Sequence, residues 1–300
     1  MRALVTGAGG FIGGRVAAAL REAAVDVVEI GRGSGAGSYR VELGPAPWPA
    51  RRLACVLEQA RPDAIFHLAG ARDGTDQALR EINVGLCQSL LSALRETGQR
   101  PTIVVSGSAA EYGAGVDDGE AIDESRACRP TSVYGATKLA QTEALASFSQ
   151  ETGARCVAAR VFTAIGPGMP SHLALGSFAL QINACTGKSC DLITGDIDVK
   201  RDFLPVDSVA NAFVSLALNP EACGIVNICS GKPIKVRRLL EAMISRSGKD
   251  IRIRIDPARL RPGEPRVIFG DTRRLSSFGI RPSAAKIEEV ASSLVEPASA

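Results

Sequence analysis

Five short apolar runs recur along the first half of this chain: RALVT (2–6), VDVVEI (25–30), DAIFHLA (63–69), PTIVVSG (101–107) and RCVAARVF (155–162). Each is nearly unbroken and rich in β-branched residues, whereas a strand with one wet face would alternate apolar with polar. Runs of this kind need cover on both faces. The stretches between them read as helices able to supply it: FIGGRVAAALREAA, WPARRLACVLEQA, DQALREINVGLCQSLLSALRETG and YGATKLAQTEALASFSQETG. Strand and helix alternating at this rhythm predict an α/β fold built on a doubly wound parallel sheet.

Beyond about residue 165 the rhythm loosens. Prolines and glycines gather at IGPGMP (165–170), and a basic, proline-rich stretch appears at RLRPGEPR (259–266). The reading is a main unit over 1–164, rejoined by a return segment at about 203–229. A smaller mixed α/β lobe would be assembled from 165–202 and 230–300. GRGSGAGS (31–38) has nothing to bury and reads as a mobile loop.

Composition narrows the function classes. Lys+Arg 35 against Asp+Glu 32 gives a net charge of +3, with no block of like charge to suggest a nucleic-acid or membrane footprint. The eight cysteines contain no C-x-x-C pair and there are only two histidines, which argues against a metal site. Dispersed thiols of this kind are expected to be reduced core residues of a cytoplasmic protein. MRALVTGAGG breaks into glycines too soon for a signal peptide, and nothing approaches transmembrane length.

TGAGGFIG (6–13) follows the first strand and opens the first helix. A glycine-rich turn there lets the backbone approach a pyrophosphate and aims a helix N-terminus at it, so the motif predicts dinucleotide binding through Gly7, Gly10, Phe11, Ile12 and Gly13. SVYGATK (132–138) places Tyr134 and Lys138 four residues apart, on one helical face. A phenol with its ordinary pKa of about 10 is a poor base at neutral pH, by about 4 kcal/mol. A nearby ammonium, with an oxidised nicotinamide adding positive charge, favours phenolate, and the same group as phenol can protonate a carbonyl oxygen being reduced. GSAAEYG (107–113) closes a buried strand, where open α/β sheets bind ligands, and so adds Ser108 as a third candidate.

The spacing Gly7, Gly10, Gly13 resembles the extended short-chain dehydrogenase/reductase superfamily, the Rossmann-type enzymes of the NAD-dependent epimerase/dehydratase family that act on nucleotide sugars. FHLAG (66–70) is similar to its strand-four motif, which implies that Leu68, Ala69 and Gly70 line the cofactor; Asn83 sits where the family keeps a helix asparagine. The resemblance gives Ser108, Tyr134 and Lys138 the catalytic roles, with Tyr134 and Lys138 also touching cofactor and Ser106 lying along it. The second strand normally ends in an acid that holds the adenosine ribose. Here Gly31 and Arg32 stand there, which favours NADP over NAD, unless the register shifts by two and brings Glu29 into play; Arg32 could also lie over the adenine or be a solvated charge.

The family's 4,6-dehydratases carry acid–base side chains just after the hydroxyl residue, at the positions of Ala109 and Ala110, and neither alanine can carry a proton. Glu111 would face away if the strand's alternation continued. KRDFLPVDSV (200–209) resembles the segment whose arginine, here Arg201, binds diphosphate. LRPGEPR (260–266) resembles one in which Arg261 would pair with phosphate and Glu264 with ribose hydroxyls. RVFTAIGPG (160–168) departs from the family in having Thr163 for a substrate-touching asparagine. Together these motifs most resemble the GDP-4-keto-6-deoxy-mannose reductases. The resemblance implies an NADP- or NAD-dependent reductase of a GDP- or UDP-linked 4-keto-6-deoxyhexose, and a homodimer. A 4-epimerase with tightly held NAD is the alternative; a dehydratase and a non-catalytic dinucleotide-sensing module stand behind both.

Overall fold

The computed structural model describes residues 1–31, 40–42, 48–114, 116, 119–187, 189–260 and 263–295. The first half runs β1 (Arg2–Thr6), α1 (Phe11–Glu22), β2 (Asp26–Gly31), β3 (Arg40–Glu42), α2 (Ala50–Ala60), β4 (Ala64–His67), α3 (Asp76–Leu79), α4 (Leu86–Thr97), β5 (Thr102–Ser108), α5 (Val133–Thr152) and β6 (Cys156–Val161). The second runs β7 (Thr163–Ile165), α6 (Ala174–Asn183), β8 (Ser189–Thr194), β9 (Lys200–Pro205), α7 (Val206–Leu218), β10 (Gly224–Ile228), β11 (Pro233–Lys235), α8 (Val236–Ser247), β12 (Asp250–Ile255), β13 (Val267–Ile268), α9 (Arg273–Ser277) and α10 (Ile287–Leu294).

Seven of these strands form one parallel sheet in the order β10-β6-β5-β4-β1-β2-β3. Successive residues of its strands enter opposite cores. Val5, Phe66 and Val104 pack with Val16 and Leu20 of α1 and Phe213 of α7. Leu4, Ile65, Ile103 and Val105 pack with Leu53 and Leu57 of α2, Leu90 and Leu94 of α4 and Phe148 of α5. Two apolar faces explain why the runs are unbroken: the fold is the doubly wound parallel sheet that the sequence predicts.

The remaining strands form two small sheets, β11-β9-β13 with β7 paired to β9, and β12-β8. A third apolar cluster lies there, joining Ile165, Phe178, Leu192, Phe203, Leu240 and Met243. β10 is reached through α7 and closes the main sheet beside β6. Among the described residues no helix is long and apolar enough to cross a membrane.

The structure departs from the sequence reading in local ways. The stretch expected as a helix over 76–98 is helical from Asp76 to Thr97, but α3 and α4 are joined by a π-helical segment, Arg80–Gly85, which carries the buried Asn83. The helix expected from Trp48 begins at Ala50, because Pro49 is extended and serves as its N-cap. β3 was not anticipated, and the loop reading of GRGSGAGS falls almost wholly outside the described residues. Cys185 and Cys190 are joined in a disulfide with Cα atoms 6.1 Å apart, so for this pair the expectation of reduced thiols does not hold. A search for C-x-x-C spacing cannot find a bridge that closes over the turn between α6 and β8.

Candidate active site

The sheet's order reverses direction at β1 and β4, since β1 leads outward to β2 and β3 whereas β4 leads to β5 and β6. In an open parallel sheet that reversal leaves a crevice at the strands' carboxyl ends. Two turns meet in it, one after β1 and one after β4. Gly7 has φ +73°, and a Cβ there would come within 2.6 Å of the Ala69 nitrogen. Gly13 lets α1 settle on this turn, since its Cβ would lie 2.1 Å from the Gly7 oxygen. Thr6 ties the turns together: Oγ1 accepts the Leu68 and Ala69 N–H groups, both at 3.2 Å, and shares a hydrogen bond with His67 Nδ1 at 3.0 Å.

Gly10 is the N-cap of α1 and offers no capping side chain, and the first turn, opening with Phe11 and Ile12, holds no acid. A Cβ on Gly9 would meet nothing within 4 Å. An uncapped helix N-terminus opening on a crevice is chemically matched to a pyrophosphate. Beside the glycine turn, where the Gly7 N–H donates to the Ile30 carbonyl at 3.1 Å, Gly31 closes β2, while Glu29 is ion-paired with Arg21 of α1's last turn. Arg32 lies outside the described residues.

Ser108 is the last residue of β5 and the N-cap of a single 3₁₀ turn, Ala109–Glu111. Its Oγ accepts the Ala110 N–H at 3.2 Å, and Glu111 Oε1 accepts the Ser108 N–H at 2.8 Å, a closed capping box. With Oγ serving as acceptor there, the Ser108 hydroxyl proton can be donated elsewhere. The strand alternation expected through Glu111 therefore stops at Ser108. Glu111 is nonetheless turned away from the crevice. It is fully buried, 2.7 Å from Arg160 Nε, and also accepts the Thr142 hydroxyl at 3.0 Å. Arg160 in turn lies 4.6 Å from the centre of the Tyr112 ring, whose hydroxyl donates to Asn227 at 2.7 Å.

Helix α5 brings the other two candidates. Ser132 caps it by accepting the Gly135 N–H at 3.1 Å. A Cβ on Gly135 would sit 2.4 Å from the Ala110 oxygen. This close approach sets Tyr134 beside Ser108. Burial raises the Tyr134 pKa, the Ser108 hydroxyl and the Arg72 guanidinium oppose the rise, and Glu111 adds to it. Arg72 stands over the ring, 5.4 Å from its centre.

Lys138, one turn on, is buried and donates to Gln141 Oε1 at 2.8 Å. Burial lowers its pKa to about 8, against the pull of Glu111 and Cys87. Gly70 leaves room at this point, since a Cβ there would be 3.0 Å from Asn83 Oδ1 and 3.5 Å from Lys138 Nζ. Asn83 clamps the loop after β4: it accepts the Ala71 N–H at 2.8 Å and donates to the Ala71 carbonyl and to Thr137 Oγ1, both at 2.9 Å. His67 is held neutral, its pKa lowered to about 3 by burial and by Lys138.

Ser108, Tyr134, Lys138, Gly70 and the turn at Gly7 thus converge on one crevice. Ser106, two residues before Ser108 on β5, is partly exposed. Thr163 opens β7 and pairs with Phe203 of β9. On that same β9, Arg201 is ion-paired with Glu264 at 2.6 Å, so these two stand together, while Arg261 lies outside the described residues. Sequence reasoning missed Arg72 and Gly135. The second carried a signal, a glycine in the first turn of a helix that has no local need of one.

The model of the NAD dependent epimerase/dehydratase family matches residues 3–229. The chain is 34% identical over 222 residues to a GDP-6-deoxy-D-mannose reductase of Pseudomonas aeruginosa, covering 71% of this chain and 73% of that protein. The solved structure of RMD from Pseudomonas aeruginosa complexed with NADPH superposes with a TM-score of 0.79 at 28% identity, covering 98% and 97% of the two chains. A Thermus thermophilus UDP-glucose 4-epimerase in complex with NAD superposes with a TM-score of 0.84 at 25% identity, covering 98% of each chain.

Proposed function

The chain belongs to the NAD dependent epimerase/dehydratase family, and from that premise we propose that it is an NADP(H)-dependent reductase of a nucleotide-diphosphate-linked 4-keto-6-deoxyhexose. The observation that carries this reading is the turn after Ser108. Its two alanines carry no proton, and the carboxylate that follows is consumed by the buried Arg160. Elimination of water needs a further acid–base side chain there. Reduction does not.

A bound reduced nicotinamide cofactor would supply the hydride. The amides at the start of α1 would hold the pyrophosphate of a bound dinucleotide, and the absence of an acid at Gly31, the end of β2, suits a 2′-phosphate, in keeping with the NADPH complex of the Pseudomonas structure. Ser108 donates its hydroxyl proton in a hydrogen bond to the C4 oxygen and fixes its place. Tyr134 gives the phenolic proton to that oxygen as C4 becomes tetrahedral, so the carbonyl becomes an alcohol. Lys138 supports Tyr134 from one turn along the helix. Arg201 and Arg261 take the diphosphate, Glu264 the ribose hydroxyls, and Thr163 the sugar. We also infer a cytoplasmic homodimer, paired through the small residues of the helical stretches 76–98 and 133–152, for which light scattering should return twice the 31.3 kDa chain mass.

The test is the absorbance of the reduced cofactor on adding a GDP-4-keto-6-deoxyhexose. The signal should fall with one alcohol formed per cofactor consumed, and no turnover with any 4-keto sugar nucleotide would end the reading. Likeness to the Thermus epimerase supports a second reading, a 4-epimerase. Cofactor retained through purification, with UDP-sugars interconverted and none added, would establish it.

A further inference from the structure

We propose that Arg72 is a positioning residue of the Tyr134 site: its guanidinium lies over the ring and supplies the fixed positive charge against which the phenol gives up or recovers its proton. The proposal rests on the reading of Tyr134 as the proton-transferring group.

The loop after β4 is built to present this side chain. On one flank Asn83 holds the Ala71 amide by both its N–H and its carbonyl, and on the other Asp73 Oδ2 stands 3.3 Å from His172 Nδ1. Arg72, between two anchored residues, lies 5.4 Å from the Tyr134 ring centre. The chain need not spend an arginine here for packing, since Arg72 is exposed.

The other groups around the ring are fewer than the Tyr–Lys motif suggests. From β5 and its turn come the neutral Ser108 and Glu111, the latter bound to Arg160. From α5 comes Lys138, whose ammonium is directed to Gln141 and whose proton is held less firmly than an ordinary lysine's. A guanidinium keeps its charge throughout any working pH range. A cation over the face of a tyrosine is attracted to the ring and more strongly to its phenolate.

The experiment titrates Tyr134 in the full chain with tyrosine labelled at the ring carbon that bears oxygen, following its chemical shift against pH. Tyr134→Phe assigns the signal among the three tyrosines of the chain by removing it. Arg72→Gln should raise the Tyr134 midpoint by about 0.5–1 pH unit, and Arg72→Lys should return it close to wild type. Superimposed wild-type and Arg72→Gln curves overturn the proposal, as do two curves that show no phenolate before the chain unfolds. Full turnover in Tyr134→Phe would instead defeat the reading of the site and leave the titration result standing.

Discussion

At the scale of single residues, the site separates groups that do chemistry from groups that hold them. Tyr134→Phe removes the proton donor without changing shape, so turnover should fall about 10²–10⁴-fold while reduced-cofactor fluorescence still reports binding. Glu111→Ala strands Arg160 as a buried, uncompensated charge and should cost about 3–5 kcal/mol in urea unfolding. His67 gives a pH test. Its folded pKa is lowered to about 3 from the ordinary 6.5, so below pH 6.5 the unfolded chain binds a proton that the folded one refuses. Stability from this residue is complete above pH 6.5 and is lost as pH falls toward 3, with a slope approaching about 1.4 kcal/mol per unit. His67→Asn should lack that slope when unfolding is measured across the window. Ser108 and the two alanines are legible in sequence because they are neighbours in the chain. The fate of Glu111 is not, because Arg160 lies 49 residues away.

At the scale of elements, contact between α5 and the turn after β5 decides whether Tyr134 and Ser108 meet. A methyl group at Gly135 has backbone oxygen 2.4 Å away and no flexible neighbour to displace. Gly135→Ala should therefore cost about 1–3 kcal/mol and depress turnover by parting the pair. Paired urea and steady-state measurements check both. The strand–helix alternation was readable, since an apolar run with β-branched residues has few other uses. The π-helical segment at 80–85 was not: residue types alone do not mark where a helix changes its hydrogen-bond pattern, and here the segment carries Asn83 into a buried position.

At the scale of the whole molecule, we propose that 165–202 and 230–300 make a substrate lobe around the third apolar cluster, with 203–229 leading back to the main sheet through α7 and β10. The Cys185–Cys190 bridge belongs to that region and closes a short loop. Replacing both cysteines by serine should lower stability by about 2 kcal/mol in urea unfolding under oxidising conditions, by releasing the loop in the unfolded chain.

The sequence by itself determined the parallel sheet, the glycine turn at its opening and the identity of the Ser108, Tyr134 and Lys138 candidates. Each of these rests on local spacing, where period and neighbouring residue types carry the information. Only the tertiary structure decided that Glu111 is spent on Arg160, that Arg72 lies over Tyr134, and that Arg201 meets Glu264. Those are pairings between distant positions, set by which chain segments the two cores bring within a few ångströms of each other.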